Sequence, residues 1–482
     1  MKKDTQTKRQ LPRLSGQALA GLFIAAALLP ILAALASGIE AASVWSELGT
    51  GLGLTAAVLI FLQFLSSGRY ESVSGQVGID RTMGFHRLAA IVLLLFAVCH
   101  PLVYLAPALY ADPTAAWHRL TGMLASNRLR TGVVALVGLL VLVGFASIRT
   151  RSFVRYEYWR ASHSLLAITV AGLALHHAMT AGTYSSELPL RLVWLLFAAM
   201  SLGAISVVYF VRPRRMWRED WRVERVRRLG AHVVEMILRG PSATKLQFRG
   251  GQFMWITLAP NRPPFHDHPF SIASGPADLP NLRLVIREAG DCTNSFASVE
   301  PGTRVAVDAP HGSFILPDGS GSVVMIAGGV GIAPLLGMLE HAAAEGDTRT
   351  FRLLYSARTP SALAGLERLR DLQSRLDLSL TCLVDEASEE AGFLPGPPGG
   401  RHIRDLLKGL EPQHLTALIC GPARMMELVA DALLDSGVLP RSIGYERFDY
   451  AAGRGRLDKK RRRECLAVIL ALVLAVTTFS LR

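Results

Sequence analysis

The sequence predicts a membrane α-helical bundle of six spans, a small antiparallel β-barrel domain, an α/β domain and an extra C-terminal apolar helix. Half of the 482 residues are hydrophobic, and six long apolar runs fall within the first 215 residues. Short β-prone runs separated by Gly and Pro turns follow, and then strands alternate with helical patterns. We therefore divide the chain into residues 1–215, 216–317, 318–450 and 451–482.

The six apolar runs lie near residues 16–36, 49–66, 88–108, 131–147, 161–179 and 192–211. A hydrocarbon core about 30 Å thick is crossed by about 20 helical residues, so each run is read as a span. The first run also fits a cleaved secretory signal, because a basic segment precedes it and Ala34-Leu35-Ala36 fits a cleavage site. Its length favours a retained span.

Basic residues orient these spans. Lys and Arg cluster before the first run, in alternate loops and after the sixth run, where eight arginines lie between Arg212 and Arg228. Because such clusters stay on the cytoplasmic side, we expect the N-terminus and the later domains to be cytoplasmic, at the cell membrane. The net charge of +13 is then mostly a topological signal, and we expect no nucleic acid partner. Arg119, Arg128 and Arg130 break the trend and are interpreted as parts of a solvated loop.

Four histidines lie in two of the spans: His86 and His100 in the third, and His163 and His176 in the fifth. Fourteen helical residues give roughly 21 Å of rise and about 40° of rotation, so His86 and His100 leave nearly the same face. Imidazole is a common axial ligand of haem iron, and an ionisable residue within a membrane is a functional candidate. The pattern predicts two stacked b-type haems, one between His86 and His163 and one between His100 and His176.

The deeper ligand in the fifth span has an alternative. A spacing of 14 from His163 selects His177, which ideal helix geometry favours. However, Trp159-Arg-Ala-Ser-His163 and Gly172-Leu-Ala-Leu-His176 resemble the fifth span of NADPH oxidases and ferric reductases, where the spacing is 13. His86-Arg-Leu resembles their third span. We choose His176 and keep His177 as the alternative; the choice requires a helix irregularity, such as one near Gly172.

The segment His268-Pro269-Phe270-Ser271-Ile-Ala-Ser274 resembles the flavin motif of the ferredoxin reductase superfamily, as it appears in NADPH oxidases. The resemblance implies bound FAD, with Phe270 near the isoalloxazine, Ser271 facing a ring nitrogen and His268 facing the pyrophosphate. A second flavin element is carried by Arg287, Gly290 and Thr293, where a helix is expected to open under the pyrophosphate. Asp308-Ala-Pro-His311-Gly312 departs from the family's Gly-Pro-aromatic-Gly turn.

Gly328-Gly329-Val-Gly331-Ile-Ala-Pro334 follows a buried strand and resembles the nicotinamide-nucleotide loop of ferredoxin reductases, with a helix starting near Pro334. Arg358 ends the next strand and favours NADPH over NADH by pairing with a 2′-phosphate. The resemblance places Cys420, in Cys420-Gly421-Pro422, near the transferred hydride and Phe448 over the flavin. We assign catalytic roles to Ser271, Cys420 and Phe448.

After the family's usual end, five basic residues at 459–463 precede an apolar run at 465–480. This run is predicted either to cross the membrane or to lie on its surface. Five scattered cysteines give no disulfide or zinc pattern, and the oligomeric state is not predicted.

The resemblance covers about residues 80 to 450 and implies transmembrane electron transfer. Electrons from NAD(P)H would pass through FAD and two haems to a small-molecule acceptor outside, either a ferric chelate or O2. Two alternatives remain. The chain would instead be an electron-supply subunit that reduces quinone or a partner protein, or a haem-free flavoreductase anchored in the bilayer.

Overall fold

The structure is a computed structural model, and it describes residues 15–70, 75, 77–149, 154–230, 232–290, 292–385, 392–447 and 453–482. The chain forms two compact units. The first ends at Val207 and also includes Glu464–Arg482, and the second is Val208–Arg463. The first contains one apolar core, whereas the second has a core around its first sheet and one on each face of its second sheet.

The first unit is helical. Its helices are α1 Gly16–Leu35, α2 Val44–Leu65, α3 Ile79–Ala111, α4 Pro113–Ala125, α5 Arg130–Ser147, α6 Tyr156–Ala181 and α7 Leu188–Ser206. The hydroxyls of Ser15 and Ser43 cap the first turns of α1 and α2 by accepting backbone hydrogen bonds. Large apolar side chains such as Leu95 and Leu165 remain exposed on the surface, which is the pattern of a bundle that faces lipid.

Two further helices lie near the points where the chain passes from one unit to the other. The short α8 (Arg212–Met216) follows α7 through a π-helical turn at Val207–Val211, and the long α13 (Arg456–Ser480) comes after the last strand. Among the described residues, seven helices are long and apolar enough to cross a membrane, namely α1, α2, α3, α5, α6, α13 and the segment Leu188–Met216.

The C-terminal half of α13 packs into the helical bundle. Leu472, Val476 and Phe479 are each 2% exposed and belong to the bundle core. A Cβ atom on Gly51 of α2 would lie 3.2 Å from both Phe479 and Val476, so the missing side chain allows the two helices to approach closely. The helices run antiparallel, because Arg482, just beyond α13, contacts Glu47 at the start of α2.

The second unit begins with an antiparallel sheet. Its strands are β1 Trp221–Gly230, β2 Val233–Arg239, β3 Phe253–Leu258, β4 His268–Ser271, β5 Asn281–Arg287 and β6 Arg304–His311. They lie in the order β4-β3-β6-β1-β2-β5. An isolated bridge from Ile272, directly after β4, to Leu284 of β5 connects the two edges of the sheet.

A parallel sheet follows. Its strands are β7 Val323–Gly328, β8 Phe351–Ala357, β9 Leu378–Val384, β10 Phe393–Pro395, β11 Thr416–Cys420 and β12 Ile443–Glu446. The accompanying helices are α9 Ile332–Glu345, α10 Leu366–Leu372, α11 Gly400–Leu407 and α12 Ala423–Asp435. Every residue of β7 is buried, as expected for a parallel strand covered on both faces.

The strand order of this sheet is β10-β9-β8-β7-β11-β12. The chain leaves β7 toward one edge and later returns to its other side at β11. This arrangement makes a topological switch point between β7 and β11, where ligands of open α/β sheets bind at the carboxyl ends of the strands. The predicted succession of apolar helices, a β-sheet domain and an α/β domain is confirmed.

Candidate cofactor-binding sites

His100 has a fixed orientation on α3. Its Nδ1 lies 2.7 Å from the carbonyl oxygen of Gly49 on α2. Because a carbonyl oxygen only accepts, Nδ1 must donate, and this leaves Nε2 with a free lone pair. Gly53 lacks the Cβ atom that would approach the His100 ring to 2.7 Å. The histidine is therefore oriented as a metal ligand held by a backbone acceptor is.

The ring that faces His100 belongs to His177 of α6. The two ring centroids lie 6.4 Å apart, and the rings are nearly perpendicular, at 77°. Nδ1 of His177 is buried and has no hydrogen-bond partner in the part of the chain that the structure describes. On α5, a Cβ atom at Gly132 would lie 2.6 Å from this ring. A glycine therefore makes room for each of the two imidazoles.

His176, the residue chosen from the sequence, lies elsewhere. Its side chain is exposed, and its Nδ1 lies 3.3 Å from the hydroxyl of Thr131. The irregularity that a spacing of 13 requires is missing, because α6 is a continuous α-helix over Tyr156–Ala181. The regular helix brings the alternative, His177, and not His176, opposite His100.

The other two histidines lie nearer the opposite ends of their helices. His86 Nδ1 is 3.3 Å from the hydroxyl of Ser66, and its carbonyl accepts a hydrogen bond from Gln63. The His163 ring stacks on Trp159 with centroids 5.1 Å apart. Its Nδ1 is also buried without a partner among the described residues. A buried, unpaired imidazole nitrogen is costly in a packed apolar bundle. His163 therefore fits the ligand role predicted for it, and His177 fits the role for which it was the alternative to His176.

Ser271 offers a buried hydroxyl in the second unit. It ends β4, pairs with Phe253 of β3 and is 6% exposed. Its Oγ is buried and makes no hydrogen bond within the described residues. By contrast, the Ser274 hydroxyl accepts a hydrogen bond from the backbone N–H of Arg283. Ser271 thus has an unsatisfied group suited to a flavin ring nitrogen, whereas Ser274 supports the strand.

The remaining residues of the flavin motifs lie on adjoining elements. Phe270 packs against Phe296 at 5.5 Å between centroids, while His268 and Pro269 precede it on β4. Arg287 is exposed at the end of β5. The expected helix at Thr293 is a 3-10 helix, Thr293–Ser298, and the Thr293 hydroxyl accepts from the backbone of Ala289 and donates to the carbonyl of Gly290.

The unusual turn at the end of β6 is organised by charge. Asp308 accepts hydrogen bonds from Arg212, and its Oδ2 lies 3.1 Å from Nε2 of His311. Burial alone would raise the pKa of Asp308, but His311 and the Arg212 guanidinium outweigh burial and hold this pKa well below its usual range. The ring of His311 also packs against Phe253 at 5.7 Å. The departure from the family's turn therefore has a structural role.

The two nucleotide motifs meet at the switch point of the parallel sheet. Gly331 lies so close to the carbonyl of Cys420 that a Cβ atom would collide with it. A Cβ atom on Gly328 would come 2.7 Å from Pro422. Gly329 has a positive φ of 54° and open space around its Cα, and Gly421 also lies against Gly328. The glycines thus join the loop after β7 to the loop after β11.

Cys420 is fully buried at the end of β11 and pairs in register with Glu446 of β12. Burial, and then the charge of Glu446, raise the pKa of the thiol, which therefore stays protonated at neutral pH. Pro334 lies in the first turn of α9, which begins two residues earlier than predicted, at Ile332. Arg358 is exposed directly after β8. Phe448 lies outside the described residues.

Sequence reasoning missed the glycines that accommodate the histidine rings and the acceptor for His100. Gly49, Gly53 and Gly132 stand in apolar helices, where glycine costs roughly 1 kcal/mol relative to alanine. A glycine kept at that cost in a span is a detectable signal of close packing. It does not reveal which ring fills the space.

Comparisons with known proteins agree with this organisation. Residues 52–174 match the family described as ferric reductase like transmembrane component. Residues 218–313 match an FAD-binding domain, and residues 325–431 match an oxidoreductase NAD-binding domain. The matched segments contain the histidines of α3 and the first of α6, the flavin motif on β4 and the glycine loop after β7.

Similar curated proteins include a reductase component, an electron transfer component and a sulfhydrogenase subunit. The reductase component of propane 2-monooxygenase from Rhodococcus jostii is 26% identical over 47% of this chain and 62% of that protein. The electron transfer component of toluate 1,2-dioxygenase from Pseudomonas putida is 24% identical over 48% and 67%. Sulfhydrogenase 2 subunit gamma from Pyrococcus furiosus is 30% identical over 41% and 70%. The chain thus spans less than two thirds of the Rhodococcus protein.

These findings establish a multi-pass membrane protein with FAD-binding and NAD(P)-binding reductase domains. A ferric reductase-like transmembrane component joined to these two domains is a distinctive arrangement, and in it the chain matches the domain architecture of the ferric reductase and NADPH oxidase family of oxidoreductases.

Proposed function

We propose that this protein carries electrons across the cell membrane, from cytoplasmic NAD(P)H through FAD and two b-type haems to an acceptor on the outer side. The observation that carries the proposal is the pair formed by His100 and His177, whose rings face each other inside the helical bundle. The haem ligands in this proposal are His86 with His163 and His100 with His177.

The spacing of the pair agrees with shared coordination. An imidazole nitrogen lies about 2 Å from a bound metal ion, and its ring centre lies roughly 1.2 Å further away. Two rings on opposite sides of one ion therefore have centres about 6.3 Å apart. The rings of His100 and His177 are 6.4 Å apart. This distance supports His177, rather than His176, as the outer ligand.

The depth of the second pair supports a path through the membrane. His86 and His100 are fourteen residues apart on one uninterrupted helix, α3, which corresponds to roughly 21 Å of rise. A hydrocarbon core is about 30 Å thick. Two haems at the depths of His86 and His100 would each lie close to one surface of the hydrocarbon core, so together they would span most of it. When bound, FAD and haem would supply the chemistry that accepts two electrons from a hydride donor and passes them on one at a time.

The residues of the second unit bind and orient the donor side. The glycine loop after β7 and the N-terminus of α9 offer backbone N–H groups to a pyrophosphate. Arg358 offers a cation to a 2′-phosphate, which favours NADPH. The Ser271 hydroxyl is available to a flavin ring nitrogen, and the backbone of Cys420 borders the nucleotide loop.

The distribution of basic residues supports a cytoplasmic reductase and an outward acceptor. The acceptor class that fits is a small molecule, either a ferric chelate or O2. A second candidate is supported by the relatives, which are named as reductase or electron transfer components. In that case the chain supplies electrons to a partner protein or to quinone, and reduction of added ferric chelate or O2 is absent.

The test uses the full-length protein purified from a haem-replete host. We expect two haems and one FAD per chain, and a reduced b-type spectrum after addition of NADPH under anaerobic conditions. His177→Ala is expected to halve the haem content, whereas His176→Ala, the matched neighbour, keeps two haems. A wild-type protein without haem would leave a membrane-anchored flavoreductase. Loss of haem with His176→Ala alone would reverse the ligand assignment.

A further inference from the structure

An ion pair between a buried carboxylate and a partly exposed arginine connects the start of α2 to the end of α13. Glu47 is 3% exposed, and Arg482 donates a hydrogen bond to its Oε2 over 2.9 Å. The hydroxyl of Tyr184, itself 1% exposed, lies 2.9 and 2.8 Å from the two carboxylate oxygens. A carboxylate this deeply buried requires its charged partner, because desolvation is otherwise uncompensated.

All three residues lie outside the segment 52–174 that matches the transmembrane family. The cluster is therefore a feature of this chain that the family match does not explain.

The same turns of α2 hold the outer histidine. Gly49, two residues after Glu47, supplies the carbonyl that accepts the hydrogen bond from His100. Thr50 forms a hydrogen bond of 2.9 Å with the hydroxyl of Tyr104. The Tyr104 ring in turn meets the His100 ring edge-on at 5.5 Å. The buried carboxylate and the His100 contacts thus belong to one short, continuous stretch of helix.

Helix packing determines where the cation lies. Val476 and Phe479 of α13 fit against Gly51 of α2, and the Arg482 guanidinium lies over the Phe479 ring at 4.4 Å. The side chain of Arg482 is only 20% exposed. Its charge is therefore held beside Glu47 by packed groups and is weakly screened by solvent.

In a medium of low polarisability, a net charge near a redox site changes how readily that site takes an electron. A nearby cation favours the reduced state and a nearby anion disfavours it. Glu47 and Arg482 together contribute no net charge beside the turn of α2 that holds His100. Removing Arg482 alone would leave the negative charge of Glu47, and removing Glu47 alone would leave the positive charge of Arg482.

We propose that Glu47 and Arg482 are positioning residues that set the electron affinity of the outer haem site at His100, so that the C-terminal helix tunes the last carrier before the acceptor. This inference rests on the proposed function. It makes α13 a part of the electron-transfer machinery in addition to its role in packing.

The test is an anaerobic spectroscopic redox titration of full-length protein in lipid nanodiscs. Arg482→Gln is expected to lower the midpoint potential of the outer haem, and Glu47→Gln is expected to raise it. Each shift is expected to be about 59 mV, which is a tenfold change in the ratio of reduced to oxidised haem for a one-electron carrier. The double variant Glu47→Gln/Arg482→Gln is expected to return to the wild-type value. Arg482→Lys, which keeps the charge, is expected to stay near it.

Arg456→Gln is the matched control, because Arg456 begins the same helix but pairs with Asp431 and Asp435 at an exposed surface of the second unit. It is expected to leave both haem potentials unchanged. Shifts of the same sign in the two single variants, or no shifts while thermal stability falls, would reduce the pair to a packing anchor and overturn the proposal. If Arg482→Gln loses haem, the double variant must regain it for the proposal to stand. Wild-type protein without haem would instead refute the proposed function.

Discussion

The imidazole of His177 fills the space in front of Gly132, where a Cβ atom would lie 2.6 Å from Cε1 and Nδ1 of the ring. Since Cβ atoms do not approach other atoms so closely, any larger residue at position 132 must displace the histidine. The arrangement of His100 and His177 therefore depends on a glycine of a neighbouring helix as much as on the histidines themselves.

We expect Gly132→Val to lose about one haem per chain, because moving the His177 ring by even a small distance removes it from the axis of the pair. The overpacking costs about 1–3 kcal/mol. Haem content and the low-temperature absorption spectrum measure the result. Gly144→Ala, on the same helix but with open space around its Cα, is the control and should keep two haems.

Ser271→Ala separates a cofactor contact from a folding contact. The Ser271 hydroxyl is buried without a partner among the described residues, so its removal should leave the stability of the apoprotein unchanged or slightly higher. FAD binding should weaken by about 1 kcal/mol, or roughly fivefold, in a fluorescence titration. Ser274→Ala should instead lower the stability of the apoprotein and leave FAD affinity unchanged, because the Ser274 hydroxyl accepts a hydrogen bond from the Arg283 N–H. Equal FAD affinity in wild type and Ser271→Ala would remove this hydroxyl from the flavin site.

Gly331→Ala should weaken nucleotide binding while FAD is retained. The added methyl group would collide with the carbonyl of Cys420 and separate the two loops at the switch point. We expect at least a tenfold rise in the Kd for NADPH, measured with the oxidised protein. Gly399→Ala, where nothing lies within 4 Å of the new Cβ atom, should bind NADPH normally. Unchanged binding in Gly331→Ala would show that the two loops tolerate separation.

Arg358→Ala tests the choice of donor. Loss of a charge-assisted bond to the 2′-phosphate should reduce kcat/KM for NADPH about tenfold, corresponding to about 1.4 kcal/mol, and leave that for NADH unchanged. Steady-state reduction of an artificial acceptor provides the measurement. An equal effect on both donors would assign Arg358 to general positioning instead.

Asp308→Asn probes the charged turn that replaces the family's pattern. The pKa of Asp308 is lowered in the folded state, so its contribution to stability is present above the usual aspartate pKa of about 3.9 and is lost as the pH falls toward the folded value. Near pH 7 we expect the substitution to lower the free energy of unfolding by about 1–3 kcal/mol. Urea titrations followed by flavin fluorescence should show this difference shrinking only below about pH 4.

The control for this experiment is Asp318→Asn. Asp318 pairs with Arg249, but its side chain is 92% exposed, and solvent screening limits such a pair to about 1 kcal/mol or less. The charge argument would be contradicted if the difference in free energy of unfolding between wild type and Asp308→Asn stayed the same down to pH 3.

The flavin and nucleotide motifs could be predicted from the sequence because each is contiguous and lies at the end of one strand. Ser271 ends β4, and the Gly328–Gly331 loop follows β7, so local pattern and structural position coincide. The division into an antiparallel and a parallel sheet agrees with the change in the sequence from short β-prone runs to strands alternating with helices.

The choice between His176 and His177 shows where resemblance and helix geometry differ. Rotation on an ideal helix indicates His177, whereas the family's spacing indicates His176; α6 is regular, and His177 is the residue that meets His100. Side-chain pairs between different helices also cannot be predicted from the sequence around either residue. Nothing near Glu47 in the sequence points to Tyr184 or Arg482, because the pairing is created by the packing of three separate segments.

Glu47 and Arg482 are 435 residues apart in the chain. At about 5–20 residues per second, a ribosome needs roughly 20 to 90 seconds to travel from one to the other. During that interval the Glu47 carboxylate lacks Arg482 as its partner, and the flavin and nucleotide segments are synthesised meanwhile. The last helix can therefore complete the packing of the helical unit only after the flavin and nucleotide segments have been translated.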